Sequence, residues 1–234
     1  QNSAVDLSDV AAVNEGLLHG SAILKSSLDN QTSSELRTTS SDWVRFEGAN
    51  NINSGAINNF GGQVDFAQDL TNAADGEINN FGGSLFAQNL ANDADSEINN
   101  FGGSLVVNGT ANNAFNGFIG GEGQFVADGG WTNRGLMAFS GTTHILGDVN
   151  IEAGGEIITL GGATTTIFDG LLHNGLQIRT GEGSRTVVFG TVGGVGAYTD
   201  VGLVEFVDGF SPGSSPAEVS FGGDVVLGPS SATL

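Results

Sequence analysis

Three histidines could carry acid–base or metal chemistry: His19, His144 and His173. None stands within a helical turn of another or of a metal-ligand motif, so each reads as a polar corner or surface residue. Cysteine is absent, which removes thiolate zinc sites, cysteine nucleophiles and disulfides together. No Gly-x-Ser-x-Gly elbow occurs. Gly121-Glu122-Gly123 and Gly181-Glu182-Gly183 are not extended to a lysine-bearing phosphate loop. Carboxylates are the remaining chemistry. Asp75 recurs as Asp95 and Glu77 as Glu97, and stacked hard oxygens of this kind suit calcium, with Asp93 as a further contributor. The opposing reading is a solvated face, since two exposed carboxylates ~5 Å apart repel by only ~1 kcal/mol in water. The calcium repeat Gly-Gly-x-Gly-x-Asp is missing.

The same carboxylates could serve a polysaccharide hydrolase, which needs a pair roughly 5–9.5 Å apart. Stacked repeats bring many carboxylates to such separations, so the pairing does not discriminate. A lyase needs a cationic base or charge neutraliser, and Arg134, Arg179 and Arg185 are the only basic residues after Arg45. The expectation is no enzyme, no required cofactor, and calcium as the one candidate ion, at Asp75, Glu77, Asp95 and Glu97. Phe60, Phe81 and Phe101 recur at one position as well. They read as a core or corner ladder, or, if exposed, as a contact for sugar rings or a neighbouring chain.

The elements that must position these residues are repeats. Ile-Asn-Asn-Phe-Gly-Gly occurs at 57–62, 78–83 and 98–103. An asparagine stands six residues before an aliphatic residue in Asn30/Leu36, Asn51/Ile57, Asn72/Ile78, Asn92/Ile98 and Asn113/Ile119. A shortened Asn-x-Gly-Leu form appears at 14–17 and 133–136, with a trace at 174–176. A fixed period of 20–21 residues indicates a stack of similar units. Glycine pairs interrupt each unit too often for a helix. The pieces between them, such as 63–66, 84–86, 104–107, 156–160, 164–168 and 186–189, are short and rich in β-branched and aromatic residues, as strands prefer. Each unit is therefore one coil of a parallel β-helix, with about ten coils in all. The aliphatic residue points inward. The asparagine takes a corner and bonds to its copy in the next coil. The spacing of Phe66-Ala67-Gln68 and Phe86-Ala87-Gln88 predicts a bulge near Val64-Asp65. The glycine-dense stretch 190–202 predicts a loose coil or loop. Val10, Val13, Leu17 and Leu24 could line a capping helix, but Gly16 and Gly20 favour a first coil there after a short cap.

The charge balance sets the partners. Six basic residues face 26 acidic ones in 234, giving −20. Such a surface repels nucleic acid and anionic lipid and attracts divalent cations or basic partners. Nothing offers 18 consecutive apolar residues, so no helix inserts into a membrane. The first residue, Gln1, suggests processing, such as removal of a signal peptide.

Near the end stands Phe210-Ser-Pro-Gly-Ser-Ser-Pro216, followed by Phe221-Gly-Gly-Asp-Val-Val-Leu-Gly-Pro229. This resembles the Ser-Pro-Gly-x-Ser-Pro-Gly segment of bacterial secreted repeat proteins, including autotransporter passenger domains and exported proteins with a C-terminal sorting signal. Ala217 replaces the usual second glycine. The upstream coils resemble the same proteins over most of the chain. The resemblance implies export, a right-handed β-helix, and a surface or matrix role.

The sequence thus predicts an all-β chain with an N-terminal cap or extension at 1–10 and a single-domain, right-handed parallel β-helix at 11–234. The expected function is an extracellular, cell-surface structural protein that assembles head-to-tail with itself into a fibre, layer or matrix. The alternatives are an adhesin or glycan-binding passenger whose partner is extracellular polysaccharide, and a polysaccharide-degrading enzyme.

Overall fold

The computed structural model describes residues 4–5, 10–213 and 218–229; for 4–5 only the backbone is described. Among them there is no helix, and every strand pairing is parallel. One sheet has 11 strands of three or four residues and the other has 19. The larger sheet supplies two faces, because each coil gives it two strands that meet at a corner, which carries glycine in most coils and Ser40-Ser41-Asp42 in one. In Glu97–Val107, Phe118–Ala127 and Leu136–Leu146 the two run on as one bent strand. Each coil therefore has three strands, as in Asn51–Asn53, Ala56–Phe60 and Gln63–Phe66. The narrow sheet counts 11 coils, against the ten expected.

The aliphatic column predicted at Ile57, Ile78, Ile98 and Ile119 is present. The four are register partners in successive coils, and all are buried. Leu36 extends the column on one side and Met137, Ile157 and Ile178 on the other. A second column runs through Val44, Val64, Leu85, Leu105, Phe125, Ile145, Ile167, Val188 and Phe206. The core is long and one residue deep per face, so successive residues of each strand alternate between the core and the surface.

Two register expectations are corrected. There is no bulge at Val64-Asp65. Gln63, Val64 and Asp65 pair in register with Ser84, Leu85 and Phe86. The odd residue is absorbed in the next corner, which is 67–69 in one coil and 88–89 in the following one. Phe66 therefore points inward while Phe86 points outward, because a one-residue offset reverses the side of a strand. The laddered asparagine is Asn53, not Asn51. Asn51 is the register partner of Leu70, and its side chain accepts from the backbone N–H of Leu28 at 2.9 Å.

The corner after the narrow sheet explains this miss. It holds four residues at 31–34, 73–76, 93–96, 114–117 and 152–155, but two at 15–16, 54–55 and 134–135. Asn53-Ser54-Gly55-Ala56 is thus the short form seen at 14–17 and 133–136. The stretch 190–202 is an ordinary coil, with strands Thr191–Gly194 and Ala197–Thr199. The N-terminal segment forms strands Ala12–Asn14, Leu17–His19 and Ala22–Leu24 rather than a helix. Ahead of them, Ala4–Val5 pairs with Ile23-Leu24. Residues 214–217, which include part of the Ser-Pro segment, and the tail 230–234 lie outside the described residues.

Candidate functional site

The hexapeptide Ile-Asn-Asn-Phe-Gly-Gly assigns one task to each residue. The isoleucine fills the core. The first asparagine points outward, and Asn79 Nδ2 donates to Asn58 Oδ1 at 3.0 Å while Asn99 donates to Asn79 at 3.1 Å. The second points inward. Asn59 Nδ2 donates to Asn80 Oδ1 at 2.8 Å, and Asn80 to Asn100 at 2.7 Å. Each of these also donates to the carbonyl of the second glycine in its own corner, at 2.8–3.0 Å. The first glycine turns the corner with φ of +82°, +73° and +78° at Gly61, Gly82 and Gly102, a region that costs glycine little. The second glycine makes room for the ladder. A Cβ on Gly83 would lie 2.3 Å from Asn59 Nδ2.

A longer buried ladder lies at the end of the narrow sheet. It runs Asn14, Asn30, Asn53, Asn72, Asn92, Asn113, Asn133, each Nδ2 donating to the next Oδ1 at 2.6–2.9 Å. A fully paired buried polar network stabilises one register and penalises every other. Beyond Asn133 the column continues as Ile151, His173, Gly194 and Pro212. There the buried polar role passes to threonines. Thr159, Thr165, Thr180 and Thr186 are buried, with hydroxyls 2.8–2.9 Å apart along the cluster.

Phe60, Phe81 and Phe101 do stack, with centroids 4.9 and 5.0 Å apart, and all three are exposed. Their ring faces cover one another, at interplanar angles of 3° and 10°. Solvent meets ring edges, whereas a sugar stacks on a ring face. The geometry disfavours a stacked sugar at this ladder.

The four candidate calcium residues are placed as coil neighbours. Glu77 is the register partner of Glu97, and the N–H of Asp75 donates to the carbonyl of Asp95 at 3.3 Å. Asp75 and Asp95 have φ of +64° and +62° and share their corner position with Ser33 and Asn116. This left-handed corner selects Asp, Asn and Ser for their backbone tolerance. The four do not converge on one point. Asp75 and Glu77 line a notch of about 330 Å³ with Glu35. Asp95 lines a second notch of about 410 Å³ with Phe115, Arg134 and Glu156. Both notches open where a two-residue corner lies beside four-residue ones. Among the described residues, no three His, Cys, Asp or Glu side chains are grouped so as to hold a metal ion.

The histidines stand apart from one another. His19 lies 3.6 Å from Asp42 on the surface, and His144 sits edge-on to Phe168 at 5.4 Å. His173, read from sequence as a surface or corner residue, is fully buried. Its Nε2 lies 3.0 Å from the Ala197 carbonyl, its Nδ1 has no hydrogen-bond partner, and its ring is T-shaped to Tyr198 at 5.2 Å. A Cβ on Gly196 would sit 2.2 Å from Nε2, so that glycine is required by the ring. Burial pushes the imidazole below its ordinary value and the Tyr198 phenol above its own. The only sequence signal for this was register, since position 173 falls on the asparagine column. The carboxylates with shifted titration move down. Glu35 is lowered by hydrogen bonds from Arg37 and Asn58, and Asp42 by Thr39. That is the wrong direction for a general acid.

These features define a β-solenoid organised around amide ladders. No protein-family model, curated protein or solved structure matches the chain.

Proposed function

We propose that the chain is an extracellular structural protein of the bacterial cell surface that assembles head-to-tail with itself into a fibre, layer or matrix. The outermost described strands of the solenoid carry this reading. Among the described residues, Ala4–Val5 pairs only with Ala22–Leu24, and Asp224–Leu227 only with Leu203–Phe206. Both belong to the same face of the wide sheet. An unpaired edge is a template for another strand, so Asp224–Leu227 of one copy continues that face into the Ala4–Val5 region of the next. Val226 and Leu227 are exposed there, as are Val13 and Leu17 at the other end. Among the described residues the last strand of the narrow sheet is Gly209–Pro212, and Pro212, with no N–H to donate, suits an edge, so we place the joint on the wide sheet. A heterologous contact of this kind does not close, and it generates a fibre.

The surface assignment rests on the likeness of 210–216 and 221–229 to exported repeat proteins. The charge of −20 sets the condition for assembly: like-charged copies repel, so salt and divalent cations promote association. Calcium is the ion we assign to this role, taken up loosely at the neighbouring pairs Asp75/Asp95 and Glu77/Glu97 rather than in one closed site. Deleting 1–10 or 224–234 removes one or the other strand of the joint and tests it by light scattering and electron microscopy. Both truncations should lose assembly. Polymerisation of both at the full-length rate would sink the head-to-tail reading.

A second reading, an adhesin that binds extracellular polysaccharide, has one feature in its favour: the notch with Phe115, Phe118, Arg134, Asp95 and Glu156. It combines exposed aromatic carbon with charged hydrogen-bonding groups. A glycan array, with Arg134→Ala and Phe115→Ala as controls, tests it.

A further inference from the structure

We propose that the middle of the solenoid face bearing the 124–127 strand segment, the face whose outermost described strands are Ala4–Val5 and Asp224–Leu227, is a lateral contact between copies of this chain, packed face to face about a two-fold axis. The stretches 84–87, 104–107, 124–127, 142–146 and 164–168 lie in consecutive coils and contain no Asp, Glu, Lys or Arg. The chain carries 26 acidic residues elsewhere and at the rims. Side chains directed outward from this face include Phe86, Val106, Val126, His144 and Phe168. Phe168 is exposed and stacks on Phe189 at 5.5 Å. Ion pairs bracket the stretch. Arg45 with Asp65 and Glu47 lies before it, and Arg185 with Glu205 after it.

The occupant follows from charge, period and area. A highly charged partner finds no counter-charge here, and a nucleic acid finds no cations. A sugar chain needs ring faces, but Phe168 and Phe189 turn theirs toward each other, at 3°. A second copy presents an equally uncharged face with the same ~4.8 Å coil spacing, so the outward columns interdigitate over several coils. Two chains of charge −20 approach most easily where neither brings charge. A two-fold axis near Val126 sets Phe86 of one copy toward Phe168 of the other, an isologous contact. The strip measures about 20 Å along the axis and about 13 Å across, from ~4.8 Å per coil and ~3.3 Å per residue. That is roughly 260 Å² per copy, well under the ~800 Å² of a stable pair. The contact is therefore weak between single chains and becomes strong only when several copies are joined end to end. Its strength, though not its existence, rests on the head-to-tail reading above.

The absence of cysteine makes the test clean. Val126→Cys, Asn79→Cys and Asn112→Cys place one thiol on each face. At high protein concentration and high salt, under mild oxidation, Val126→Cys should give disulfide dimers several-fold faster than the other two. Adding Phe168→Lys should return it to their rate, with the melting temperature confirming that each variant is folded. Equal rates at all three positions overturn the proposal. So does an unaccelerated Val126→Cys chain that pellets with insoluble polysaccharide, which would give the face to a glycan. In the wild-type background, Phe168→Lys should narrow fibre bundles to single fibres. If no variant forms fibres at all, the end-to-end reading fails, while the cross-linking rates still decide the lateral contact.

Discussion

An asparagine in this protein can be worth several kcal/mol or almost nothing, depending on which side of its strand it occupies. Asn80 is buried, accepts from Asn59, and donates to Asn100 and to the Gly83 carbonyl. Asn80→Ala strands those ladder neighbours without their partner and should cost about 2–4 kcal/mol. Asn79→Ala removes an outward amide next in sequence and should cost under about 1 kcal/mol. Urea unfolding of the two variants measures the difference directly. Equal losses would mean that the buried ladder is not what fixes the register. His173 gives a residue-scale prediction in pH. Its folded-state affinity for protons is depressed by burial, so the unfolded chain takes up the proton first as pH falls. The stability from the neutral ring is complete above about 6.5 and is lost as pH drops below it. Tyr198 is the only titratable group facing the ring from the strands packed on it, among the described residues. His173→Asn should flatten the stability profile between pH 7 and 5 by up to ~1.4 kcal/mol per unit. An unchanged slope would place the acid sensitivity elsewhere.

At the scale of the element, corners absorb changes of length and strands do not. Lengthening the 54–55 corner by two residues, to match 73–76, should leave the melting temperature within a few degrees, because loop closure depends weakly on length. One residue inserted after Val64 should unfold the coil, since it turns the buried Phe66 outward and brings a polar neighbour in. Calorimetry of both insertions checks this. The same distinction explains what the sequence disclosed. The inward column at Ile57, Ile78, Ile98 and Ile119 was legible because strand residues keep their order across coils. Asn51 stands where the repeat spacing places Asn53 because the 54–55 corner is two residues shorter than its neighbours, so equal spacing back from Ile57 lands two residues early. The bulge at Val64-Asp65 was inferred from the coincidence of two Phe-Ala-Gln strings that the fold places out of register. Periodicity reports strands well, but it cannot say which of two adjacent segments took up an extra residue. The notches beside 54–55 and 134–135 were illegible for the same reason, since they arise from differences in corner length between coils.

For the whole molecule, the charge and the proposed head-to-tail joint work against each other. With −20 on the chain, repulsion keeps copies apart at low salt, and the proposed joint between the outermost described strands, Ala4–Val5 and Asp224–Leu227, forms once it is screened. A thermal melt in calcium against one in chelator, at equal ionic strength, separates an ion held by Asp75, Glu77, Asp95 and Glu97 from plain screening. The assignment of calcium predicts a higher melting temperature in calcium than in sodium, and identical curves would leave these carboxylates as solvated surface. The most direct measurement is the image of the assembly. Electron cryo-microscopy of the full chain at high concentration in calcium should show filaments whose axial repeat is one solenoid, about 50 Å from the 11 coils at ~4.8 Å each, with strands perpendicular to the filament axis. Single rods under every condition of salt and calcium, or filaments whose strands run along the axis, would contradict head-to-tail assembly.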